Sequence, residues 1–404
     1  MVSSTDKSTV SDNYTNMRIG IDARFYGSLG KGLGRYTEKL IEQLERIDDG
    51  NEYVIFLRPE NFSEYAPRSP RFRKVMARYA WYGLAEQTLF VWLLYRSSLD
   101  LVHFPHFNVP LLYRRPFLVT IHDLILVHYP TLRNTTRLAM VYWIKFFVYR
   151  YVIASAITRS RHIITVSHFT ANDIITTYPQ ARGKMSVTYE AADDYCQLAT
   201  RQEEERLFRQ LGLLPRDITQ KNGYSFHDIL QPYFLYVGNA YPHKNLSVLF
   251  SVARAFPTHL FILVGKEDYF YSRLKEEAKR QHADNVIFAG FLTDKELSLL
   301  YRFARAYLFP SLYEGFGLPP LEAMVHGTPV VSSDRGSLPE ILGDAALYFD
   351  PTNPESLRAR LRELGENVAL RDVLKERGYA RGTRYSFRTM AIETHRLYQT
   401  FLFK

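Results

Sequence analysis

The segment of residues 314–350, EGFGLPPLEAMVHGTPVVSSDRGSLPEILGDAALYFD, combines residue types that suit a phosphate-binding loop. Gly315 and Gly317 carry no Cβ atom, so the backbone can approach a ligand closely. Pro319 and Pro320 fit the first turn of a helix, where a missing N–H group costs little. The N–H groups that precede this helix would point outward at its N-terminus, which favours a diphosphate. The residues assigned to this loop are Gly315, Phe316, Gly317 and Leu318.

Two carboxylates bracket the same loop. Glu314 precedes the glycines, and Glu322 follows on the predicted helix with seven residues between the two. Because like charges repel, carboxylates beside a phosphate are better suited to bind neutral hydroxyl groups. Glu314 is therefore a candidate to bind sugar hydroxyls, and Glu322 a candidate to bind a ribose. The alternative is that Glu322 caps its own helix while Glu314 is solvated.

A His–Asp pair, His122 and Asp123, follows the apolar run of residues 116–121. The pair then lies at the carboxyl end of a buried strand, which is where open α/β sheets bind ligands. We expect His122 to take part in the chemistry. The sequence contains no Asp-x-Asp motif and no His-x-x-x-His spacing, so we expect neither a metal ion nor another cofactor.

The elements that position these residues are short apolar strands that alternate with helical patterns, which predicts an α/β fold with parallel sheets. A first series of strands is predicted at residues 17–21, 53–57, 99–104, 116–121 and 162–166. A second series is predicted at residues 233–237, 260–264, 285–289, 306–309, 329–332 and 346–349. An amphipathic helix is expected at about residues 35–46.

The pattern divides the chain into two domains of similar organisation. We predict a disordered tail at residues 1–16, a first Rossmann-like domain at 17–200, a linker region at 201–231, a second Rossmann-like domain at 232–384 and a terminal helix at 385–404. The tail lacks the apolar run of a signal peptide. No 18 consecutive residues are apolar, so we expect no membrane-spanning helix.

The composition narrows the compartment and the partners. The single cysteine, Cys196, excludes an intrachain disulfide and a cysteine-rich metal site, and it fits the reducing cytoplasm. The formal net charge of +9 suits an anionic ligand, a nucleic acid or an acidic membrane surface. No dense Lys/Arg run or nucleic-acid-binding motif is present, so we expect no nucleic-acid partner.

Two regions, residues 79–95 and 138–157, are rich in large apolar side chains. Lys145 and Arg150 interrupt the second region, so it does not read as a membrane span. One interpretation is a packed core helix. The other is a basic amphipathic surface that rests peripherally on the inner face of a membrane.

Glu314 and Glu322, the run GFGLPPLEAM and the following GTPVV together resemble the retaining glycosyltransferases of family 4. The resemblance extends from the first strand to about Pro351. It implies the GT-B fold, in which two Rossmann-like domains face a central cleft and a C-terminal helix crosses back to the N-terminal domain. The first domain would then bind the acceptor, and the second the nucleotide-sugar donor.

Within the first domain, GSLGKGLGRYTEKL resembles the glycine-rich loop that lies near the donor phosphates and the acceptor. Gly32 and Gly34 are the best matches, and Arg35 is assigned to the acceptor side. The block TIHDLILVHYP resembles the next family block, whose histidine contacts the transferred sugar near the reacting carbon, and this implies the same role for His122. Asp123 is assigned to the acceptor side.

Within the second domain, YVGNAYPHKNL resembles the block that neutralises the donor diphosphate, and Lys244 matches its lysine. Many relatives carry an arginine directly after the glycine, where this chain has Asn239. His243, or Arg35 or Lys31 from the other domain, is a candidate to supply the missing cation.

Two later blocks approach the nucleotide in the family. Lys266 either approaches the nucleotide or lies in a surface turn. Phe291 and Leu292, in AGFLTDKEL, pack either beside the nucleobase or in the core.

The resemblance implies a metal-independent, retaining hexosyltransferase with His122, Glu314 and Lys244 as catalytic residues. The motifs are most similar to a mannosyl- and rhamnosyltransferase branch. We therefore expect transfer of mannose from GDP-mannose to a glycan or lipid-linked glycan in polysaccharide biosynthesis, at the cytoplasmic face of the membrane. UDP-glucose and dTDP-rhamnose are alternative donors. A GT-B sugar-nucleotide epimerase and an inactive sugar-nucleotide binder are alternative functions.

Overall fold

The computed structural model describes residues 16–130, 139–192, 199–214 and 230–402. The chain divides into two compact units. The first contains the described residues up to Thr120, Ser155–His162 and the chain from Ala391 on, and the second contains Ile121–Ala154 and Ile163–Met390. The predicted domain boundaries stay predictions. The predicted tail lies almost entirely outside the described residues, and so does much of the predicted linker.

The described residues form strands that alternate with helices, as the apolar pattern predicted. The strands are β1 (Arg18–Asp22), β2 (Glu52–Leu57), β3 (Phe72–Met76), β4 (Leu101–Phe104), β5 (Phe117–Ile121), β6 (His162–Thr165), β7 (Met185–Val187), β8 (Tyr233–Val237), β9 (Leu260–Val264), β10 (Val286–Gly290), β11 (Ala306–Phe309), β12 (Val330–Ser333) and β13 (Ala346–Phe349). They form two parallel sheets, one of seven strands and one of six.

The helices connect the strands and cover the sheets. They are α1 (Lys31–Ile47), α2 (Val91–Arg96), α3 (Ile125–His128), α4 (Ala139–Arg159), α5 (His168–Thr177), α6 (Arg201–Gln210), α7 (Ser247–Ala253), α8 (Tyr269–Arg280), α9 (Asp294–Phe303), α10 (Leu318–Val325), α11 (Leu338–Leu342), α12 (Pro354–Glu366), α13 (Val368–Gly382) and α14 (Phe387–Leu402).

In the first unit, the strands lie side by side in the order β3-β2-β1-β4-β5. Helix α1 buries Tyr36, Leu40 and Leu44, which recur at the spacing of one helix face. The C-terminal part of α14 belongs to this unit. There, the Tyr398 hydroxyl lies 2.7 Å from Nδ1 of His103. The predicted return of the terminal helix to the N-terminal part of the chain is confirmed.

A buried ion cluster fixes the end of β1 in the first unit. Arg24 is fully buried and forms two 2.8 Å hydrogen bonds to the carboxylate of Asp22. It also donates to Glu86, at 2.6 Å, in the π-helical turn before α2. Because a buried charge requires compensation, this cluster ties β1 to residues 79–86.

In the second unit, the strand order β10-β9-β8-β11-β12-β13 places β8 and β11 at the centre of the six-stranded sheet. Continuous apolar runs such as FILV in β9 are buried on both faces, as parallel sheets require. Strands β6 and β7 pair in parallel. The turns after the carboxyl ends of β5, β8 and β11 carry His122, Lys244 and Glu314.

Two expectations from the sequence need correction. Helix α1 begins at Lys31 rather than near Arg35, so Gly32, Gly34 and Arg35 lie in its first turns rather than in a preceding loop. Glycine lowers the propensity to form a helix but does not exclude one. Here the packing of the apolar face of α1 stabilises the helix despite its two glycines. Strands β3 and β7 were not predicted, because neither stands out as an apolar run.

Candidate active site

The loop between β11 and α10 is built as the sequence indicated. Gly317 is the N-cap of α10 and has a φ of +97°, a left-handed conformation that glycine adopts without strain. In the part of the chain that the structure describes, the amides of this loop donate no hydrogen bond; they belong to Gly315, Phe316, Gly317 and Leu318. The loop therefore offers donors and a helix dipole to an anion.

Lys244 and Glu314 form an ion pair next to this loop. The Nζ atom of Lys244 lies 2.6 Å from Oε1 of Glu314, and both residues are buried. Lys244 ends a short turn that follows β8. The alternative in which Glu314 is solvated is therefore excluded. The pair places a cation and a carboxylate side by side next to the loop.

Glu322 is buried on α10, but it does not cap the helix, because Gly317 occupies the N-cap without a side-chain hydrogen bond. The Tyr301 hydroxyl lies 3.5 Å from Oε2 of Glu322. Glu322 therefore lies buried on the helix that follows the loop, and its role as a ligand-binding carboxylate, including the ribose contact, stays a prediction.

The backbone of His122 lies directly against the loop. A Cβ atom added to Gly315 would meet the carbonyl oxygen of His122 at 2.0 Å. The Ser167 hydroxyl donates to the Gly315 carbonyl at 2.6 Å, and the Thr170 hydroxyl lies 3.2 Å from the carbonyls of both Gly315 and His122. The structure therefore brings His122, Asp123 and Glu314 together around Gly315.

Sequence reasoning missed Glu190. Its carboxylate is buried, and Oε1 lies 2.6 Å from Nδ1 of His122. Glu190 follows β7, which is only three residues long. Recognition of β7 would have placed Glu190 at the carboxyl end of a parallel strand, where ligand-binding residues collect.

Two titratable groups beside the ion pair have shifted pKa values. Burial raises the pKa of the Asp123 carboxyl and Glu314 acts in the same direction, whereas the backbone N–H of Ile125 opposes the shift. Burial lowers the pKa of His243 to about 4, and the charge of Lys244 acts in the same direction. Burial therefore disfavours the charged form of His243, a candidate to replace the arginine that many relatives carry at the position of Asn239.

The remaining donor-side residues divide into core and surface positions. The side chains of Phe316 and Leu292 are buried in the apolar core of the second unit, so only their backbones are available to a ligand. Phe291 is 76% exposed, which excludes core packing. Lys266 is exposed, and its role stays open. Asn239 accepts a hydrogen bond from the Tyr241 N–H in its own turn.

The remaining predicted residues belong to the first unit. A Cβ atom on Gly34 would meet the Gly27 carbonyl at 2.1 Å, so this glycine allows α1 to pack on the preceding turn. A Cβ atom on Gly32 would meet nothing within 4 Å. Arg35 is half-buried on α1. Their roles in binding the donor and the acceptor stay predictions.

The described residues contain no group of three or more His, Cys, Asp or Glu side chains that could hold a metal ion.

Two families match the chain. Residues 225–381 match the family described as glycosyl transferases group 1, and residues 30–194 match glycosyltransferase family 4. The two matches cover most of both sheets. They also include Gly32, His122, Lys244, Glu314 and Glu322.

Relatives aligned over most of the chain, and solved structures, are also glycosyltransferases or resemble them in fold. The chain is 27% identical to the O-antigen chain mannosyltransferase RfbU of Salmonella typhimurium, over 84% of this chain and 88% of that one. It is 27% identical to O-antigen chain mannosyltransferase B of Escherichia coli, over 91% and 96% of the two chains. Sucrose-phosphate synthase from Thermosynechococcus elongatus has a TM-score of 0.69 at 19% identity, over 95% of this chain and 99% of that one. Anabaena HepE, in complex with UDP and glucose, has a TM-score of 0.67 at 17% identity, over 95% and 100%. These two structures show that the fold is GT-B.

Proposed function

Because the chain belongs to glycosyltransferase family 4, we propose that it transfers a mannosyl group from GDP-mannose to a hydroxyl group of a growing polysaccharide or lipid-linked glycan. The choice of mannose is supported by the names of the two full-length relatives. The choice of GDP-mannose rests on the resemblance of the motifs. UDP-glucose and dTDP-rhamnose are the competing donors.

The observation that carries the proposal is the buried pair of Lys244 and Glu314 beside the amides of residues 315–318. A nucleotide sugar carries two negative charges on its diphosphate and neutral hydroxyls on its sugar. The amides, the dipole of α10 and Lys244 would bind the diphosphate, while Glu314 accepts hydrogen bonds from the sugar.

The reaction breaks the bond between the anomeric carbon and the diphosphate oxygen and forms a bond to the acceptor oxygen. The acceptor proton passes to the departing phosphate oxygen, and both bonds lie on the same face of the sugar, so that configuration is retained. Lys244 and the loop amides stabilise the charge on the leaving group without a metal ion. One well-placed donor of this kind contributes about 3–4 kcal/mol.

A thermal-shift panel tests the donor. We expect GDP and GDP-mannose to raise Tm in the presence of EDTA, by about 5 °C or more at a hundredfold excess over Kd. UDP, UDP-glucose, dTDP and dTDP-rhamnose should have little effect. If only the uracil or thymine nucleotides raise Tm, the donor is a UDP- or dTDP-sugar and not GDP-mannose. A dependence on Mg²⁺ would contradict the metal-free mechanism.

We also propose that α4 contacts an anionic membrane surface. Trp143, Phe147 and Tyr151 recur every four residues, and each is more than half exposed. Arg150, also exposed, lies on the same helix with its guanidinium 5.9 Å from the ring of Phe146. Exposed aromatic rings with neighbouring cations suit the headgroup region of an acidic bilayer. No helix of the described residues is long and apolar enough to cross a membrane.

Co-sedimentation with vesicles tests this contact. The intact protein should bind vesicles that contain phosphatidylglycerol more tightly than vesicles of phosphatidylcholine alone. Combined Phe147→Ser and Arg150→Glu substitutions should remove most of the binding. Tyr379→Ser is the control, because Tyr379 is an aromatic residue on α13 that is also more than half exposed. Equal binding by all three proteins, or none by the intact protein, would refute the contact.

A further inference from the structure

Glu190 is a buried carboxylate to which the proposed reaction assigns no task. It is 5% exposed and follows β7. Its Oε1 atom lies 2.6 Å from Nδ1 of His122, which is within the range of a charge-assisted hydrogen bond. His122 follows β5, so the two residues come from separate strand ends.

The position of His122 gives this contact its importance. The carbonyl oxygen of His122 is in contact with Gly315, and the Thr170 hydroxyl bridges the carbonyls of both residues. The imidazole, Glu314 and Lys244 all act electrostatically on the carboxyl group of Asp123. Glu190 therefore contacts a residue whose backbone lies against Gly315, the neighbour of Glu314.

The contact with Glu190 determines which ring nitrogen of a neutral His122 carries the proton. A carboxylate accepts hydrogen bonds and donates none, so the proton of a neutral His122 ring must lie on Nδ1. The other ring nitrogen, Nε2, is then an acceptor. In solution, neither nitrogen of a neutral imidazole is obliged to carry the proton.

We propose that Glu190 is the positioning residue of His122: it holds the ring and its tautomer so that Nε2 accepts a hydrogen bond from a hydroxyl group of the sugar that is transferred. The inference rests on the proposed transferase function. Within it, Glu314 and His122 both accept hydrogen bonds from the sugar, and Glu190 makes the histidine an acceptor.

The tautomer can be read directly from the free protein, without any donor. Long-range ¹⁵N–¹H NMR spectra of protein with ¹⁵N-labelled histidine distinguish the two tautomers at pH 8, and His122→Gln assigns the signal. We expect the Nδ1–H form in the wild type and a shift towards Nε2–H in Glu190→Ala. His395 is the internal reference, because its Nε2 atom lies 3.0 Å from Asp48, far from Glu190 in sequence.

Kinetics give a second readout. Glu190→Ala should lower kcat by about ten- to hundredfold, the range seen when a partner that orients a functional histidine is removed. KM for the nucleotide sugar should rise by less than kcat falls, since the diphosphate contacts that the proposal assigns to Lys244 and the loop amides stay in place. Glu190→Gln should recover part of kcat, because its amide oxygen can still accept the Nδ1 proton.

The outcomes separate this inference from the proposed function. An Nε2–H tautomer in the wild type, or an unchanged kcat in folded Glu190→Ala, would overturn the role of Glu190. If Glu190→Ala does not fold, the same two measurements on Glu190→Gln decide. If no nucleotide sugar is consumed by the wild type, the proposed function fails, while the tautomer measurement still stands.

Discussion

The contact between Gly315 and His122 leads to a quantitative prediction for Gly315→Ala. The added Cβ atom would lie 2.0 Å from the His122 carbonyl oxygen, whereas ordinary contacts begin at 3.4 Å. One backbone must therefore move by about 1.4 Å. The loop cannot retreat easily, because Ser167 and Thr170 hold the Gly315 carbonyl.

A misplacement of about 1 Å costs catalysis roughly a hundredfold, so we expect Gly315→Ala to lower kcat by about that factor or more. Overpacking should also lower the free energy of unfolding by about 1–3 kcal/mol. The assay is the initial rate of nucleoside diphosphate release in the presence of acceptor, with urea unfolding measured on the same samples.

Gly365→Ala is the matched control. Gly365 lies in α12, and an added Cβ atom there meets nothing within 4 Å. Alanine in a helix should stabilise the protein by about 0.5–1 kcal/mol and leave the rate unchanged. A folded Gly315→Ala protein that works at the wild-type rate would refute the reasoning, because the contact with His122 would then have no catalytic consequence.

Three further predictions follow from single contacts. Lys244→Met should lower the free energy of unfolding by about 3 kcal/mol, because Glu314 stays buried without its partner. The double variant Lys244→Met with Glu314→Gln should recover stability in urea but not donor binding. If it recovers both, Lys244 is excluded as a diphosphate ligand. Gly32→Ala should raise Tm slightly, since Gly32 lies in α1 and an added Cβ atom meets nothing within 4 Å, but it should weaken donor binding roughly tenfold, the equivalent of one hydrogen bond to a charged group; unchanged binding in calorimetry would remove Gly32 from the donor site. Burial works to raise the pKa of Asp48, but hydrogen bonds, that of His395 foremost, hold it well below its usual range. The carboxylate therefore stabilises the fold above about pH 4 and loses this effect as the pH falls further, so Asp48→Asn should flatten the acid limb of stability; an unchanged limb would contradict the assignment.

The sequence predicted the alternation of strands and helices and the loop of residues 315–318, because these depend on local patterns. It also selected Glu314, Lys244 and His122 as site residues. It could not show that Lys244 and Glu314 form a buried pair, since they are 70 residues apart. Glu190 was missed because a three-residue strand leaves too short a pattern to recognise.

The position of a residue in the chain also says little about where its side chain points. Phe316 and Leu292 belong to predicted donor-binding segments, yet their side chains are in the core. Phe291, the neighbour of Leu292, is exposed instead. Successive side chains point in different directions, and only the packing around each one decides which of them meets solvent or ligand.

The most direct test of the central claim is mass spectrometry of acceptor glycans incubated with the protein, GDP-mannose and EDTA. The acceptors should include mannose-terminated oligosaccharides and extracts of lipid-linked glycans. We predict that an acceptor gains one hexose residue, in an α linkage by ¹H NMR of the product, and that Lys244→Met abolishes the product. Hexose transfer from UDP-glucose alone, transfer only after Mg²⁺ is added, or a β linkage from the α-linked donor would contradict it.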